Sequence, residues 1–411
     1  MPGHHALTFS AVPDRDQAVR TVLGRAPSGA ADVGEVLAAV GGVKDHDHEG
    51  WFAAWRDLGT RVAERADASA VRGHRVSAAG AYLRAAAYLA AAVDAAAALE
   101  SDADLLPTFR AHRAAWDRWV ATSGRDVERL DLPYEGTTLP GYLFRSPGPG
   151  PRPTLVAVNG SDGALTSLWS GILHGALERG YHALAFDGPG QQSVLLEQGI
   201  PFRPDFERVL TPVLDTLLEQ PGVDARRVVL FGMSQGGYWV ARALASEHRP
   251  AAAVLDPGVV EVATSWEREV PHSLLTLLAK GDDHAFDRDM ALGMRLSPAT
   301  ARTWRFRARP YGAEGYAATL RAVRAYDLRD VAGQITTPLL ITSPEGEQFW
   351  PGQSERLASL TAPGIAEVVP FTAAEGAGGH CQPLARTLTD ERVLDWLDER
   401  LAAVDLTPAG A

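Results

Sequence analysis

Gly232-Met233-Ser234-Gln235-Gly236 follows an apolar run at 228–231 and precedes a helix-like pattern that begins at Gly237. The order is therefore strand, sharp turn and helix, with a serine at the apex. Such a turn forces the serine backbone into a strained conformation, so small residues must flank it on both sides. The strain lifts the hydroxyl of Ser234 to a place where a base can reach it. The alternative is a glycine-rich turn with a capping serine, and the partners of Ser234 decide between the two.

A serine hydroxyl is a poor nucleophile at neutral pH, so it needs a histidine that takes its proton and a carboxylate that orients the histidine. At turns of this kind the chain order is serine, acid, histidine. Of the four histidines after Ser234, only His380 follows the last predicted strand, in a glycine-rich loop at 375–380. We therefore predict that His380 is the base, the alternative being a surface-loop histidine. His248 ends the helix after Ser234 and should be remote from it.

The acid should follow the strand predicted at 339–342. We favour Glu347, because this loop commonly runs acid, three residues and proline, and Glu347 to Pro351 fits that spacing. Glu345 in the same loop and Asp256 at the end of the preceding strand are the alternatives. Each of these carboxylates could instead be a solvated loop group or, for Asp256, a helix cap.

A nucleophilic serine also requires an oxyanion hole. One donor should be the backbone N–H of Gln235, at the N-terminus of the following helix. We predict that the second donor is the N–H of Ser161, in the loop Asn159-Gly160-Ser161-Asp162-Gly163 that follows an earlier strand. The alternative for this loop is an ordinary Asn-Gly turn.

One further segment is interpreted as scaffolding. Asp187-Gly188-Pro189-Gly190-Gln191-Gln192-Ser193 forms a tight loop fixed by its glycines and proline, and it lacks the phosphate-binding pattern G-x-x-x-x-G-K-[ST]. Cys381, the only cysteine, excludes an intramolecular disulfide and a cysteine-based zinc site. We expect Cys381 to be a small buried residue, and we expect no cofactor and no metal.

The composition limits the classes of protein to which this chain could belong. The chain has 411 residues, 46% of them hydrophobic, which suffices for one large domain and a smaller one. The net charge is −12 and there is no basic run, so nucleic acid is not an expected partner. Residues 1–5 show no signal pattern. The alanine-rich stretch 85–99, which carries Asp94, is expected to be too short and too weakly apolar to span a bilayer. We expect a cytoplasmic protein.

Periodicity divides the chain near residue 124. Residues 15–122 follow a helical pattern, whereas a hairpin around Glu135-Gly136 and then alternating strands and helices follow. This alternation predicts an α/β fold with a mostly parallel sheet covered by helices on both faces. We predict a helical domain at 1–124 and an α/β domain at 125–405. The latter carries a helical insertion at about 258–333.

Together, the pentapeptide, the loop 187–193, the Glu347–Pro351 spacing and the late His380 resemble the α/β-hydrolase superfamily over about residues 125–405. The helical N-terminal part, with Ser77-Ala78-Ala79-Gly80-Ala81-Tyr82-Leu83-Arg84, is similar to a narrower branch. That branch includes 2,6-dihydroxypseudooxynicotine hydrolase and polyketide-processing hydrolases. Glu347 departs from the aspartate that is more frequent at the acid position.

The resemblance implies an α/β-hydrolase fold with an N-terminal helical cap, a homodimer, and hydrolysis of an ester or of a C–C bond next to a ketone in a small molecule. It also implies a substrate pocket between the sheet edge and the cap. Candidate pocket residues, each of which could instead be core packing, are Tyr82, Arg84, Trp266 and Trp350. The alternatives are a lyase or cyclase on the same triad, a peptidase, and a non-enzymatic relative that binds a ligand.

Overall fold

The computed structural model describes residues 8–405, so residues 1–5, discussed above for their lack of a signal pattern, lie outside it. The chain forms two compact units. The helical unit takes the described residues up to Arg125 together with Pro383–Thr387, and the sheet unit takes Asp126–Gln382 and the described residues from Leu388. The short return of residues 383–387 to the helical unit was not expected from the sequence. A Cβ on Gly24 would meet the carbonyl oxygen of Pro383, so the two backbones are in direct contact.

Five helices build the helical unit, and side-chain caps start two of them. Asp32 accepts a hydrogen bond from the N–H of Glu35, and Asp47 accepts one from the N–H of Gly50. The helices are α1 (Pro13–Leu23), α2 (Val33–Val40), α3 (His48–Val71), α4 (Arg75–Ala97) and α5 (Leu105–Thr122).

Helix α4 is the core of this unit and packs against α3 and α5. It contains most of the alanine-rich stretch and has 23 residues, with a mean hydropathy of 1.3 over its most apolar 18-residue window. By length and composition alone it is therefore long and apolar enough to cross a membrane. The expectation that this segment is too short and too weakly apolar was therefore wrong. Because 72% of its most apolar window is buried inside the structure, the helix has the character of a core helix.

The sheet unit contains one eight-stranded sheet in the order β1-β2-β4-β3-β5-β6-β7-β8. The first three strands in this order pair antiparallel and all the other pairs are parallel. The predicted α/β fold with a mostly parallel sheet is thus confirmed. The strands are β1 (Asp126–Tyr134), β2 (Thr137–Arg145), β3 (Arg152–Val158), β4 (His182–Phe186), β5 (Val223–Met233), β6 (Ala252–Asp256), β7 (Leu339–Pro344) and β8 (Ala366–Phe371).

Helices connect the parallel strands, and five of them, α11 to α15, lie in the connection between β6 and β7, where we predict the insertion. The α-helices that follow β3 in the chain are α6 (Leu165–Leu168), α7 (His174–Glu178), α8 (Gln192–Leu196), α9 (Glu207–Leu218), α10 (Gly236–Leu244), α11 (Thr264–Glu267), α12 (His272–Ala279), α13 (Asp283–Leu296), α14 (Pro298–Ala308), α15 (Tyr316–Arg324), α16 (Gln353–Leu360) and α17 (Arg386–Asp405).

The turn between β5 and α10 is as tight as the pentapeptide predicts. Ser234 has a φ of 53°, in the left-handed region that residues with a side chain rarely adopt. A Cβ on Gly232 would lie 2.4 Å from the carbonyl oxygen of Gly236, and a Cβ on Gly236 would lie 2.5 Å from the carbonyl oxygen of Val158. Only glycine fits at these two places, because the obstructing atoms belong to the backbone.

Replacing Gly236 with alanine should lower the free energy of unfolding by about 1–3 kcal/mol, because the added methyl group forces the backbones of β3 and α10 apart. Gly293→Ala is the matched control. Gly293 lies inside α13 with open space around its Cα, so alanine there should raise stability by about 0.5–1 kcal/mol. Urea denaturation measures both values, and equal effects of the two substitutions would contradict this view of the turn.

Candidate active site

Ser234, His380 and Glu347 meet at the carboxyl ends of the parallel strands. His380 Nε2 lies 2.9 Å from Ser234 Oγ, and His380 Nδ1 lies 2.7 Å from Glu347 Oε2. With the Nδ1 proton donated to the carboxylate, Nε2 is left to accept the hydroxyl proton of Ser234. This geometry can remove a proton from the serine.

The two alternative acids have other partners. Glu345 accepts a hydrogen bond from the N–H of Ala373 at 2.8 Å. Asp256 is fully buried, and its Oδ1 accepts hydrogen bonds from Thr342 at 2.6 Å and from Gln382 at 2.9 Å. Of the three candidate acids, Glu347 is therefore the one that contacts His380.

The carboxylate of Glu347 is held in place on both of its oxygens. While Oε2 faces His380, Oε1 accepts hydrogen bonds from the N–H groups of Phe349 at 2.8 Å and Trp350 at 3.2 Å. Burial alone would raise the pKa of Glu347, but the nearby imidazole and these hydrogen bonds outweigh it and lower the pKa. Glu347 is therefore ionised at neutral pH and fixed toward His380.

The imidazole of His380 is buried and packs against the ring of Phe349, with centroids 4.7 Å apart. Burial would lower the pKa of His380, whereas Cys381 and Glu347 raise it, and the result is a pKa well above the ordinary histidine value. Because burial also raises the pKa of the Cys381 thiol and keeps it neutral, we attribute the shift to the negative charge of Glu347.

Asp256 positions the residues on both sides of this hydrogen-bond chain. Its carbonyl oxygen accepts hydrogen bonds from the N–H of Ser234 at 2.6 Å and from the thiol of Cys381 at 3.2 Å. Its carboxylate holds Gln382, and both Cys381 and Gln382 have positive φ values, 53° and 41°. Asp256 was considered as an acid in the sequence, but this supporting role was missed because the pattern carries no signal for it.

The two predicted oxyanion donors are available for a ligand. Within residues 8–405 the backbone N–H groups of Gln235 and Ser161 have no hydrogen-bond acceptor. The loop that contains Ser161 passes directly against the nucleophile, since a Cβ on Gly160 would lie 2.8 Å from Cβ of Ser234. Two free N–H groups beside one hydroxyl can bind an oxyanion.

The loop predicted as scaffolding supports the loop 159–163 through two glutamines. Gln191 Nε2 donates to the carbonyl oxygens of Asn159 at 2.9 Å and Gly160 at 3.0 Å. Gln192 Nε2 donates to the carbonyl oxygen of Asp162 at 3.1 Å. The sequence alone predicts no role for these side chains, because only the fold brings the two loops together.

The four candidate pocket residues fall in different units. In the helical unit, Tyr82 donates to Asp67 at 2.5 Å, and Arg84 forms an ion pair with Glu35 at 3.0 Å. In the sheet unit, Trp350 has its ring centroid 5.9 Å from that of His380. Trp266, also in the sheet unit, packs edge-on against Tyr311 with centroids 5.6 Å apart.

Metal ligation has little support in the part of the chain that the structure describes. Residues 8–405 contain no group of three or more His, Cys, Asp or Glu side chains arranged to hold a metal ion.

Comparison with known proteins finds a matching family and several similar hydrolases. A family described as esterase FrsA-like matches residues 33–303. The hydrolase LUC6 of Fusarium sp is 31% identical over 403 residues, covering 92% of this chain and 94% of that protein. The 20-hydroxy-prefusarin hydrolase FUS2 of Gibberella moniliformis is 33% identical over 231 residues, covering 54% of this chain and 55% of that protein.

A solved structure, the 2,6-dihydroxy-pseudo-oxynicotine hydrolase, has a similar fold. Its TM-score is 0.71 at 21% sequence identity, and the match covers 93% of this chain and 96% of that one. At this level of identity the likeness shows the fold.

The electrostatics of the site predict that Glu347→Gln lowers the pKa of His380, because the substitution removes the negative charge that stabilises the imidazolium. NMR titration of selectively labelled histidine measures this pKa. Glu345→Gln is the control, since Glu345 binds the backbone of Ala373 and should leave the pKa unchanged. If Glu345→Gln lowered the pKa of His380 and Glu347→Gln did not, Glu347 would not be the carboxylate that stabilises the imidazolium.

Proposed function

The chain belongs to the FrsA-like esterase family, which confirms its resemblance to the α/β-hydrolases, and on that premise we propose a catalytic triad of Ser234, His380 and Glu347. The enzyme is a hydrolase, and the proposal concerns its nucleophile and its substrates. The hydrogen-bond chain from Ser234 Oγ through His380 to Glu347, at 2.9 and 2.7 Å, supports it most directly. A serine that only caps a helix needs neither an imidazole nor a carboxylate.

In the first half of the reaction, Ser234 Oγ attacks the carbonyl carbon of the substrate while His380 Nε2 takes the hydroxyl proton. Glu347 stabilises the imidazolium that forms. The negative charge on the substrate oxygen is bound by the N–H groups of Gln235 and Ser161, each such donor being worth on the order of 10²–10³ in kcat.

The tetrahedral intermediate then collapses. The bond between the carbonyl carbon and the leaving group breaks, and His380 gives its proton to the leaving alkoxide or, for a C–C bond next to a ketone, to the leaving enolate. In the second half, His380 takes a proton from water and the hydroxide attacks the carbonyl carbon of the acyl-enzyme. The bond to Ser234 Oγ then breaks, His380 returns the proton to Oγ, and an acid leaves as product.

We propose a small organic ester or ketone as the substrate, with an origin in secondary metabolism. The esterase family favours an ester. The name of FUS2 describes a hydrolase of 20-hydroxy-prefusarin, and the fold neighbour acts on 2,6-dihydroxy-pseudo-oxynicotine, so both named substrates are small molecules. Neither substrate is assigned to this chain.

A fluorophosphonate probe should label Ser234, because the probe reacts with a serine that has an adjacent base and an oxyanion hole. Ser234→Ala should abolish labelling, and Glu347→Gln should slow it by on the order of 10³–10⁴-fold. Ser359→Ala is the matched control, since Ser359 is exposed and donates only to the carbonyl oxygen of Arg356. Mass spectrometry of the labelled peptide locates the adduct, and full labelling of the Ser234→Ala variant would contradict the proposed triad.

The rate of labelling should rise with pH, since only neutral His380 can take the proton of Ser234. Because the pKa of His380 is raised, the rise should be centred above the ordinary histidine value, and in Glu347→Gln it should move to lower pH. Labelling rates measured across neutral and alkaline pH test this expectation. A rate that does not depend on pH over this range would exclude His380 as the base.

Hydrolysis and elimination differ in where water enters. With an ester substrate in heavy-oxygen water, the released acid should carry the heavy isotope in its carboxyl group, as mass spectrometry can detect. Product without the isotope would instead indicate a lyase or cyclase.

A further inference from the structure

Arg307 in α14 is a guanidinium whose hydrogen-bonding capacity is unused by the described chain. Within residues 8–405 it forms no hydrogen bond and no ion pair. Its contacts are with aromatic faces, and its Cζ lies 5.3 Å from the ring centroid of Phe349 and 5.9 Å from that of Trp266. Five N–H donors are thus held beside two rings without an acceptor.

The position of Arg307 links it to the reacting atoms. The ring of Phe349 contacts both the guanidinium and His380, since its centroid is 5.3 Å from Arg307 Cζ and 4.7 Å from the imidazole centroid. Arg307 also acts electrostatically on Asp162, in the loop beside Ser234, although the two form no ion pair. The free cation is therefore one aromatic ring away from the imidazole that contacts the nucleophile.

A second donor without a partner belongs to the residue that follows the nucleophile. Gln235, directly after the nucleophile, is 3% exposed, and its Nε2 has no hydrogen-bond partner. Its Oε1 accepts a hydrogen bond from Tyr311 at 3.3 Å, and Tyr311 packs against Trp266. Gln235, Tyr311, Trp266 and Arg307 thus form a continuous row of contacts that starts beside Ser234.

We propose that this row is a specificity subsite for a planar anionic group of the substrate, a carboxylate or a deprotonated 1,3-dicarbonyl, with Arg307 as the main anchor. The inference rests on the proposed function, since it names the substrate class of the same site. A guanidinium binds two oxygens of a planar anion side by side, and stacked aromatic rings hold it in the orientation for that contact.

The charge balance around Arg307 favours an anion as the occupant. A guanidinium is a cation, and none of the carboxylates of the described residues forms an ion pair with that of Arg307. Asp162 has a raised pKa because desolvation outweighs its own backbone hydrogen bond and the charges of Arg307 and His380. The carboxylate of Asp162 is hydrogen-bonded by the side chain of Ser161 and forms no ion pair with Arg307, so the guanidinium is left open to a ligand.

Matched esters test the subsite. The anionic substrates are 4-nitrophenyl hydrogen adipate and the longer suberate, and the neutral substrates are their methyl esters. The native enzyme should prefer the anionic member, and Arg307→Gln should lower kcat/KM for it by roughly ten- to a hundredfold. The same variant should change kcat/KM for the neutral substrate by less than about threefold, because the loss of a surface charge has only a small energetic effect. Arg307→Lys should keep part of the preference, because it keeps the charge but loses the planar fork.

The control is Arg302→Gln, which removes an identical charge from the same helix five residues earlier, on another face. It should leave the preference intact. Equal losses on both esters in Arg307→Gln, or a native preference for the neutral ester, would overturn the subsite.

A binding measurement covers the case in which these esters are turned over poorly. Benzoate should slow fluorophosphonate labelling of Ser234 in the native enzyme, benzamide should not, and Arg307→Gln should remove the protection. Dimedone and its methyl enol ether repeat the comparison for an enolate and identify which anion is preferred. Normal labelling without protection by either anion would refute the subsite alone. A native protein that is not labelled at all would refute the proposed function, and the subsite with it.

Discussion

The left-handed backbone of Ser234 is the constraint on which the rest of the site depends. A residue with a side chain holds φ near 53° only if its surroundings enforce it. Here the enforcement comes from backbone contacts, since glycines at 232 and 236 let α10 approach β5 and β3 closely, and the N–H of Ser234 is tied to the carbonyl of Asp256 at 2.6 Å. The strain places the hydroxyl above the strand ends, within reach of His380.

The same residue, Asp256, connects the nucleophile to its base. Its carbonyl oxygen binds Ser234 and Cys381, and its carboxylate binds Gln382, so the two residues that follow His380 are anchored to the end of β6. Because both partners are fixed to one strand end, their separation is set by the sheet. This rigidity is what a preorganised site requires, since catalytic groups must lie within a fraction of an ångström of their working positions.

The sequence was sufficient for the parts of the molecule that local patterns specify. The pentapeptide and the alternation of strands and helices predicted the sheet, and chain order singled out Ser234, His380 and Glu347, which the structure brings together. The supporting roles of Gln191 and Asp256 were not predictable, because each depends on contacts between loops that are far apart in the chain. Arg307 lies about 40 residues from Phe349, and nothing in the helical pattern of α14 distinguishes it from the other arginines of that helix.

The proposed reaction begins with an attack of Ser234 on a carbonyl whose oxygen then rests between two backbone N–H groups. The crystal structure of the protein after reaction with a fluorophosphonate tests it most directly, since the bound phosphonyl group mimics the tetrahedral intermediate. We expect a bond from phosphorus to Ser234 Oγ, with the phosphonyl oxygen accepting hydrogen bonds from the N–H groups of Gln235 and Ser161. An adduct on another residue, or a phosphonyl oxygen directed away from these two donors, would contradict it.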